Sequence, residues 1–423
     1  MLLRTLALLF LAASAFAQVS PQRLRQQAQS YFDAGRFNGS VLVARDGKLL
    51  LSQGYGMANF EWNIPATPET RFRLGSITKQ FTAMVVLLLE QDGKLKTSDP
   101  LCRFIDPCPA AWQPVTLHHL LTHSAGIPNF TSFPDYQKTM ALPSPPAATI
   151  ARFRDKPLDF APGTRMKYSN SGYVLLGAVI EKASGQSYEA FLRARILDPL
   201  AMRDTGYDHP AEVLVRRAAG YEHSGSTLRN AAFLDMTIPY SAGALYSTTL
   251  DLMKWDRALT AGKLLTPASY KRYFTPGKNN YAYGWNVVTR NGLEVISHGG
   301  GINGFATMIM RAPAQGLLVV TLSNVLPSQA GRLAQDLLQL AAGQEVAVPA
   351  KQTEVQVPVE TLRKYVGEYQ LAPNFILAVR LDGSQLVTQA TGQPEVPIFP
   401  KSDTTFFLKV VEAEITFQQD AAG

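Results

Sequence analysis

Two periods of apolar residues organise the chain. Strand-like runs within residues 40–54, SVLVA and KLLLS either side of Asp46-Gly47, predict a β-hairpin closed by a tight turn. Residues 24–37 carry helical spacing instead, and residues 78–90 (TKQFTAMVVLLLE) are apolar nearly all round, which predicts a buried helix ending near Asp92-Gly93. From about 94 to 290 the pattern is of helices separated by Pro- and Gly-rich loops, among them an irregular stretch at 129–146 read as a rim or lid. A second well-packed helix is predicted over 173–184, closed by Gly185, and strand character returns at 293–297, 306–310 and 317–322. Terminal strands around a helical middle predict one α+β domain with a helical insertion, in place of alternating βαβ units.

Past a helix ending near Ala342, residues 346–360 read as a linker. Short alternating strands then fill 361–423, two of them joined by Asp382-Gly383, and predict a small β-rich accessory domain that stops soon after its last strand, as an incomplete one would. The main domain is accordingly set at 18–345.

The first seventeen residues, MLLRTLALLFLAASAFA, have one early positive charge, a short apolar run and an A-x-A end. This is the pattern of a cleavable export signal (1–17), too short to span a bilayer comfortably, so no stable membrane anchor is expected after cleavage. Export to the periplasm or medium changes how the two cysteines read. Cys102 and Cys108 lie six positions apart, and in an oxidising compartment they predict a local disulfide.

With 423 residues, 46% hydrophobic and 17% charged, the composition is that of a globular protein. The formal charge of +7 is scattered, without Lys/Arg runs or interleaved aromatic platforms, so nucleic-acid binding is excluded and only a mild attraction to acidic cell-wall material follows. His119 and His123 have i, i+4 spacing but neither an intervening glutamate nor an evident third ligand, and no metal or other cofactor is expected. The chain also lacks a G-x-S-x-G elbow and a phosphate-binding glycine loop.

Three short motifs carry the chemistry. Ser76-Ile77-Thr78-Lys79 opens the buried helix; one turn places residues i and i+3 on the same face, so Lys79 would lie beside a serine that needs a base. Tyr168-Ser169-Asn170 follows a Pro162-Gly163 loop, and alternate residues there could turn a phenol and an amide into one cavity. His298-Gly299-Gly300-Gly301 follows a strand, where glycines permit close backbone approach and free N–H groups could polarise a carbonyl.

The ordered set S-x-x-K, Y-x-N, H-x-G resembles the serine β-lactamase and penicillin-binding protein superfamily, closest to class C β-lactamases, D-alanyl-D-alanine carboxypeptidases and related esterases. Matching stretches lie at 118–130 (HHLLTHSAGIPNF), 160–185, 242–255 and 299–305 (GGGINGF), and the resemblance covers roughly 22–342. It implies a β-lactamase/transpeptidase-like fold with Ser76 as acylated nucleophile. Lys79 and Tyr168 would share proton transfer, in an order left open, and Asn170 would bind the substrate. An oxyanion would sit between the N–H groups of Ser76 and Gly301, and His298, Gly299 and Gly300 would form a substrate-binding edge. The C-terminal strands are similar to lipocalin-like domains appended to some of these hydrolases. Class C β-lactamases usually carry K-T-G where this chain has His298-Gly299-Gly300, which loses a cation and a hydroxyl for a substrate carboxylate. The expectation is an exported serine hydrolase cleaving an amide or ester of a small molecule or peptide, a D-Ala-D-Ala-type peptidase or esterase. The alternatives are a class C-like β-lactamase and a non-catalytic penicillin-binding or cell-wall sensor protein.

Overall fold

A computed structural model of the chain describes residues 20–224, 227–349, 353–393, 395–409 and 413–418, so the export signal expected at 1–17 lies outside the described residues. The predicted hairpin forms as β1 (Gly39–Arg45) and β2 (Lys48–Tyr55). Asp46 and Gly47 both adopt positive φ, 50° and 70°, the turn geometry that matches strand twist. After a long excursion the chain returns as β3 (Asn286–Arg290), β4 (Leu293–Ile302), β5 (Phe305–Ala312) and β6 (Leu317–Ser323). These build one six-stranded antiparallel sheet in the order β3-β4-β5-β6-β1-β2, with Val43 opposite Val319 at its centre.

The two-residue period of the central strands sorts them between two cores. Val41, Val43, Leu317 and Val319 face helices α1 (Pro21–Asp33) and, near the end of the domain, Ala330–Ala341, where they meet Leu24, Ala28, Leu333 and Leu337. Leu42, Ala44, Leu318, Val320 and Leu322 face the helical insertion. Its axis is α2 (Thr78–Gln91), in which every residue from 78 to 89 is buried, as the all-round apolar pattern requires. Against it packs α3 (Asn170–Ser184), stopped by Gly185 at φ 72°. Each fully buried Leu, Ile, Val or Phe here contributes about 1.5–3 kcal/mol, so this core fixes α2 and everything attached to its first turn.

The structure departs from the sequence reading in four places. The first helix runs over Pro21–Asp33 and stops at Ala34 and Gly35, earlier than expected, with Ser20 capping its start. Strand β4 continues through His298, Gly299, Gly300 and Gly301 to Ile302, so the triplet is strand and not the turn beyond one. An edge strand, β3, lies before it. Residues 129–146 hold a 3₁₀ turn (Phe130–Ser132) and a short helix (Tyr136–Thr139).

Cys102 and Cys108 are joined by a disulfide, with 5.3 Å between their Cα atoms, and pack against the helical core. Beyond a helical turn at Val359–Arg363, six antiparallel strands follow one another in sheet order: Gly367–Ala372, Phe375–Asp382, Gln385–Ala390, Val396–Pro400, Thr405–Leu408 and Glu414–Thr416. They enclose their own core of Leu362, Val379, Leu386, Ile398, Phe406 and Phe417. Among the described residues, no helix is long and apolar enough to cross a membrane.

Candidate active site

Ser76 stands on a 3₁₀ turn, Gly75–Ile77, that leads directly into α2. The i, i+3 spacing brings Lys79 back beneath it, with Nζ 3.0 Å from Ser76 Oγ. The turn is pressed against β4, backbone to backbone. Gly75 holds φ at 55°, and a Cβ there would lie 3.1 Å from both N and O of Gly301. A Cβ on Gly300 would lie 1.9 Å from the Leu74 carbonyl oxygen, which instead accepts a 2.8 Å hydrogen bond from Thr307 Oγ1. Two glycines are therefore demanded by contact, and that contact sets the backbone of Gly301 against the turn that carries Ser76.

Lys79 is fully buried. Besides Ser76 Oγ its Nζ contacts Asn170 Oδ1 at 2.9 Å and the Ala242 carbonyl at 2.8 Å, and it lies 4.9 Å from the centroid of the Tyr168 ring. Burial holds its pKa well below the ordinary lysine value. A neutral amine has two N–H donors and one lone pair. The two carbonyl oxygens take the donors, which leaves the lone pair for the proton on Ser76 Oγ.

Tyr168 and Asn170 both reach this centre, as their alternation predicts. The Tyr168 hydroxyl oxygen is buried without a hydrogen-bond partner among the described residues. Burial pushes the phenol up, and the adjacent Ser76 hydroxyl pulls it partly back, so at neutral pH it keeps its proton. Asn170 is the first residue of α3; its amide donates to Thr131 Oγ1 at 3.1 Å while its carbonyl accepts from Lys79. Its backbone N–H is taken by Asn129 Oδ1 at 3.0 Å, which ties the 129–132 turn to the site.

The substrate-binding edge expected from His298, Gly299 and Gly300 is corrected. His298 is buried, its Nε2 accepting from Tyr281 Oη at 3.0 Å and its Nδ1 donating to the Gly299 carbonyl at 2.6 Å. Burial above all lowers its pKa to about 4, so the ring is neutral and its nitrogens are already engaged. Gly299 opens to the opposite face of β4, where it lines a separate cavity with Met308, and Gly300 is spent on Leu74. Strand alternation places His298 and Gly300 on one face of β4 and Gly299 on the other, and the cleft reaches the strand only at its last residues, Gly301 and Ile302. Of the four residues only Gly301 lines the cleft at Ser76.

That cleft, of about 160 Å³, has apolar walls from Phe130, Tyr136, Leu234, Pro239 and Ile302, and neutral polar groups from Thr131, Asn170 and Asn303. Of the two histidines weighed as a metal pair, His119 accepts from the Thr116 N–H through Nδ1. His123 belongs to the buried ring cluster behind Lys79, which spacing alone did not reveal. Among the described residues no group of three or more His, Cys, Asp or Glu is placed to hold a metal. A desolvated serine–amine pair, a strand backbone pressed against the serine turn, a protonated phenol and a neutral cleft are together equipped for acyl transfer.

Comparison with known proteins agrees in extent and in kind. The family model described as Beta-lactamase matches residues 22–344, and one described as a domain of unknown function (DUF3471) matches 351–423. The chain is 30% identical to penicillin-binding protein 4* of Bacillus subtilis (strain 168), over 95% of this chain and 96% of that protein. Its structure is similar to that of the octameric penicillin-binding protein homologue from Pyrococcus abyssi, with TM-score 0.70, 28% identity, and coverage of 94% and 96% of the two chains. It is also similar to a D-stereospecific amidohydrolase from Streptomyces sp., with TM-score 0.65, 26% identity, and coverage of 75% and 98%.

Proposed function

The chain belongs to the β-lactamase family of serine hydrolases, and on that premise we propose that it is an exported peptidase or esterase working through an acyl-enzyme on Ser76. The observation that carries the reading is the contact of a fully buried Lys79 Nζ with Ser76 Oγ at 3.0 Å, both other polar contacts of that nitrogen being carbonyl oxygens. Lys79 is the base. As Ser76 Oγ attacks the substrate carbonyl carbon, its proton passes to the Lys79 lone pair. The oxygen of the tetrahedral intermediate takes up the negative charge between the N–H groups of Ser76 and Gly301, each such donor being worth about 10²–10³ in rate. Collapse breaks the bond to the leaving nitrogen or oxygen. Tyr168 supplies the proton that atom needs and recovers one from Lys79, and water later hydrolyses the ester on Ser76.

The neutral, partly apolar cleft supports an acyl group of about amino-acid size, and Asn170 and Thr131 stand where its polar edge would lie. The lysine expected of an efficient β-lactamase is replaced by His298, whose nitrogens are both engaged inside the protein. This favours D-amino-acid peptides, amides and small esters over β-lactams, in keeping with the amidohydrolase whose structure is similar. Export is part of the reading and is supported by the Cys102–Cys108 disulfide.

The test is a fluorophosphonate label followed by mass spectrometry, together with kcat/KM for nitrocefin, a D-Ala-D-Ala peptide, a D-amino-acid amide and a p-nitrophenyl ester. The expected result is one adduct on Ser76, lost in Ser76→Ala, with amide or ester turnover above that of nitrocefin. Absence of the adduct would sink the enzyme reading, and dominant nitrocefin turnover would replace it with a β-lactamase.

A further inference from the structure

His123 occupies a place where a helix usually puts glycine. The short helix Leu117–Leu121 ends in a Schellman pattern: the Ser124 N–H reaches back to the His119 carbonyl at 2.8 Å, and the His123 N–H to that of Leu120 at 3.3 Å. The residue at its hinge must take the left-handed conformation, and His123 does so at φ 54°. Glycine would avoid the backbone cost, although histidine is among the side chains that tolerate this region better than most. A strained, 2% exposed histidine needs a compensating role for its side chain.

Its contacts straddle a single residue. The His123 carbonyl accepts the N–H of Lys167 at 3.0 Å, and its Nδ1 accepts the N–H of Ser169 at 3.2 Å. Between those two amides lies Tyr168, whose ring centroid is 4.2 Å from that of His123. The imidazole also meets the rings of Tyr281 at 4.6 Å and Tyr173 at 5.1 Å, so it cannot swing away. Because Nδ1 accepts, the proton of the neutral ring sits on Nε2, which has no hydrogen-bond partner among the described residues. The ring does not line the cleft at Ser76, which sets it apart from the groups that would touch substrate.

We infer that His123 is a positioning residue: it clamps the backbone on both sides of Tyr168 and packs on its ring, so that the phenol is held toward Ser76. The inference rests on the proton-donor role given to Tyr168 above. A bland alternative is that the imidazole merely fills core space. Packing needs no acceptor, however, and a phenyl ring would fill that space while leaving the buried Ser169 N–H without a partner.

The experiment compares His123→Phe, which keeps a ring and loses the acceptor, with His123→Asn, whose Oδ1 nearly superposes on Nδ1 and which tolerates the left-handed backbone. Each is made in the parent and in Tyr168→Phe, with melting temperature monitored and p-nitrophenyl ester kinetics as the readout; His123→Leu stands in if the Phe variant does not fold. The expected result is that H123F lowers kcat about 10–100-fold with KM within about twofold, while H123N stays within about threefold of the parent. In the Y168F background H123F should add less than about twofold, since it acts through a hydroxyl already removed. An undiminished H123F effect in that background, or an H123N variant as slow as H123F, overturns the clamp. If Y168F alone keeps the parental rate, the role assigned to Tyr168 is what has failed, and the clamp has nothing to position.

Discussion

Gly300→Ala tests whether backbone contact between β4 and the Ser76 turn sets the rate. The added Cβ would stand 1.9 Å from the Leu74 carbonyl oxygen and 2.4 Å from Thr307 Oγ1, the two atoms whose hydrogen bond pins the strand to the turn. Real Cβ contacts essentially never fall below 3.0 Å, so the strand or the turn must retreat by about 1 Å. Both are well-packed backbone, and overpacking of that sort costs about 1–3 kcal/mol. The same retreat separates the Gly301 amide from Ser76. An oxyanion donor works only within a few tenths of an ångström of 2.9 Å, so the loss in kcat should approach that of removing the donor, about 10²–10³. The assay is p-nitrophenyl ester hydrolysis normalised to the fraction of Ser76 that a fluorophosphonate still labels, with the melting temperature read alongside and expected to fall by roughly 2–4 °C per kcal/mol. Gly299→Ala is the contrast, since its methyl meets the flexible end of Met308 at 3.1 Å and the Thr307 carbonyl oxygen at an ordinary 3.6 Å, on the other face of the strand; less than about a tenfold loss is expected. A G300A enzyme within threefold of the parent and unchanged in melting temperature would refute the argument that this contact builds the site.

Three further outcomes follow from buried groups and the disulfide. Lys79 has its ordinary pKa in the unfolded chain and a much lower one in the fold, so between the two the unfolded state binds the extra proton and stability rises with pH. The stability of Lys79→Met relative to the parent in urea should therefore decline from about pH 7 to about pH 10, and a difference independent of pH would show a charged Lys79 in the fold. His298 is lowered to about 4 from 6.5, so the unfolded chain takes up its proton first as pH falls; the parent should lose roughly 3 kcal/mol through this window and no more below it, and His298→Gln should flatten that segment of the profile. Closing the short loop between Cys102 and Cys108 constrains the unfolded chain by about 2 kcal/mol, so Cys102→Ser with Cys108→Ser should lower the melting temperature under non-reducing conditions while kcat holds, and an unchanged melting temperature would contradict it.

What was legible in the sequence was local. The Asp46-Gly47 hairpin, the all-apolar α2 and the i, i+3 pair of Ser76 and Lys79 are each set by neighbours a few residues away, and each stands where its pattern puts it. What escaped is set by distant backbone. Glycine weakens a strand in isolation, so HGGG read as the end of one; it is strand because it pairs residue by residue with β5, and Gly300 is glycine because Leu74 approaches too closely for a side chain. His298 looked like a ligand for substrate, and only the position of Tyr281 shows its ring turned inward. His123 drew notice only for its spacing to His119, which was weighed as a metal pair and set aside, and the contact that defines it, to Ser169, spans 46 residues.

The three contacts of Lys79 Nζ do not by themselves fix its charge, because an ammonium could donate to all three oxygens as well as an amine could donate to two and accept from one. The surroundings decide. Asn170 and Ala242 offer neutral carbonyls, Tyr168 and Tyr173 offer ring faces at 4.9 and 5.5 Å, and among the described residues no carboxylate pairs with this nitrogen. Two ring faces stabilise a cation by a few kcal/mol at most, against a desolvation penalty that is several kcal/mol for an ion without a counter-charge. His123 and His298, both kept neutral, add nothing to hold a positive charge there. The fold thus spends stability to keep an amine unprotonated beside a serine. A carboxylate introduced near Lys79 would, by charging the amine, remove the lone pair the serine needs.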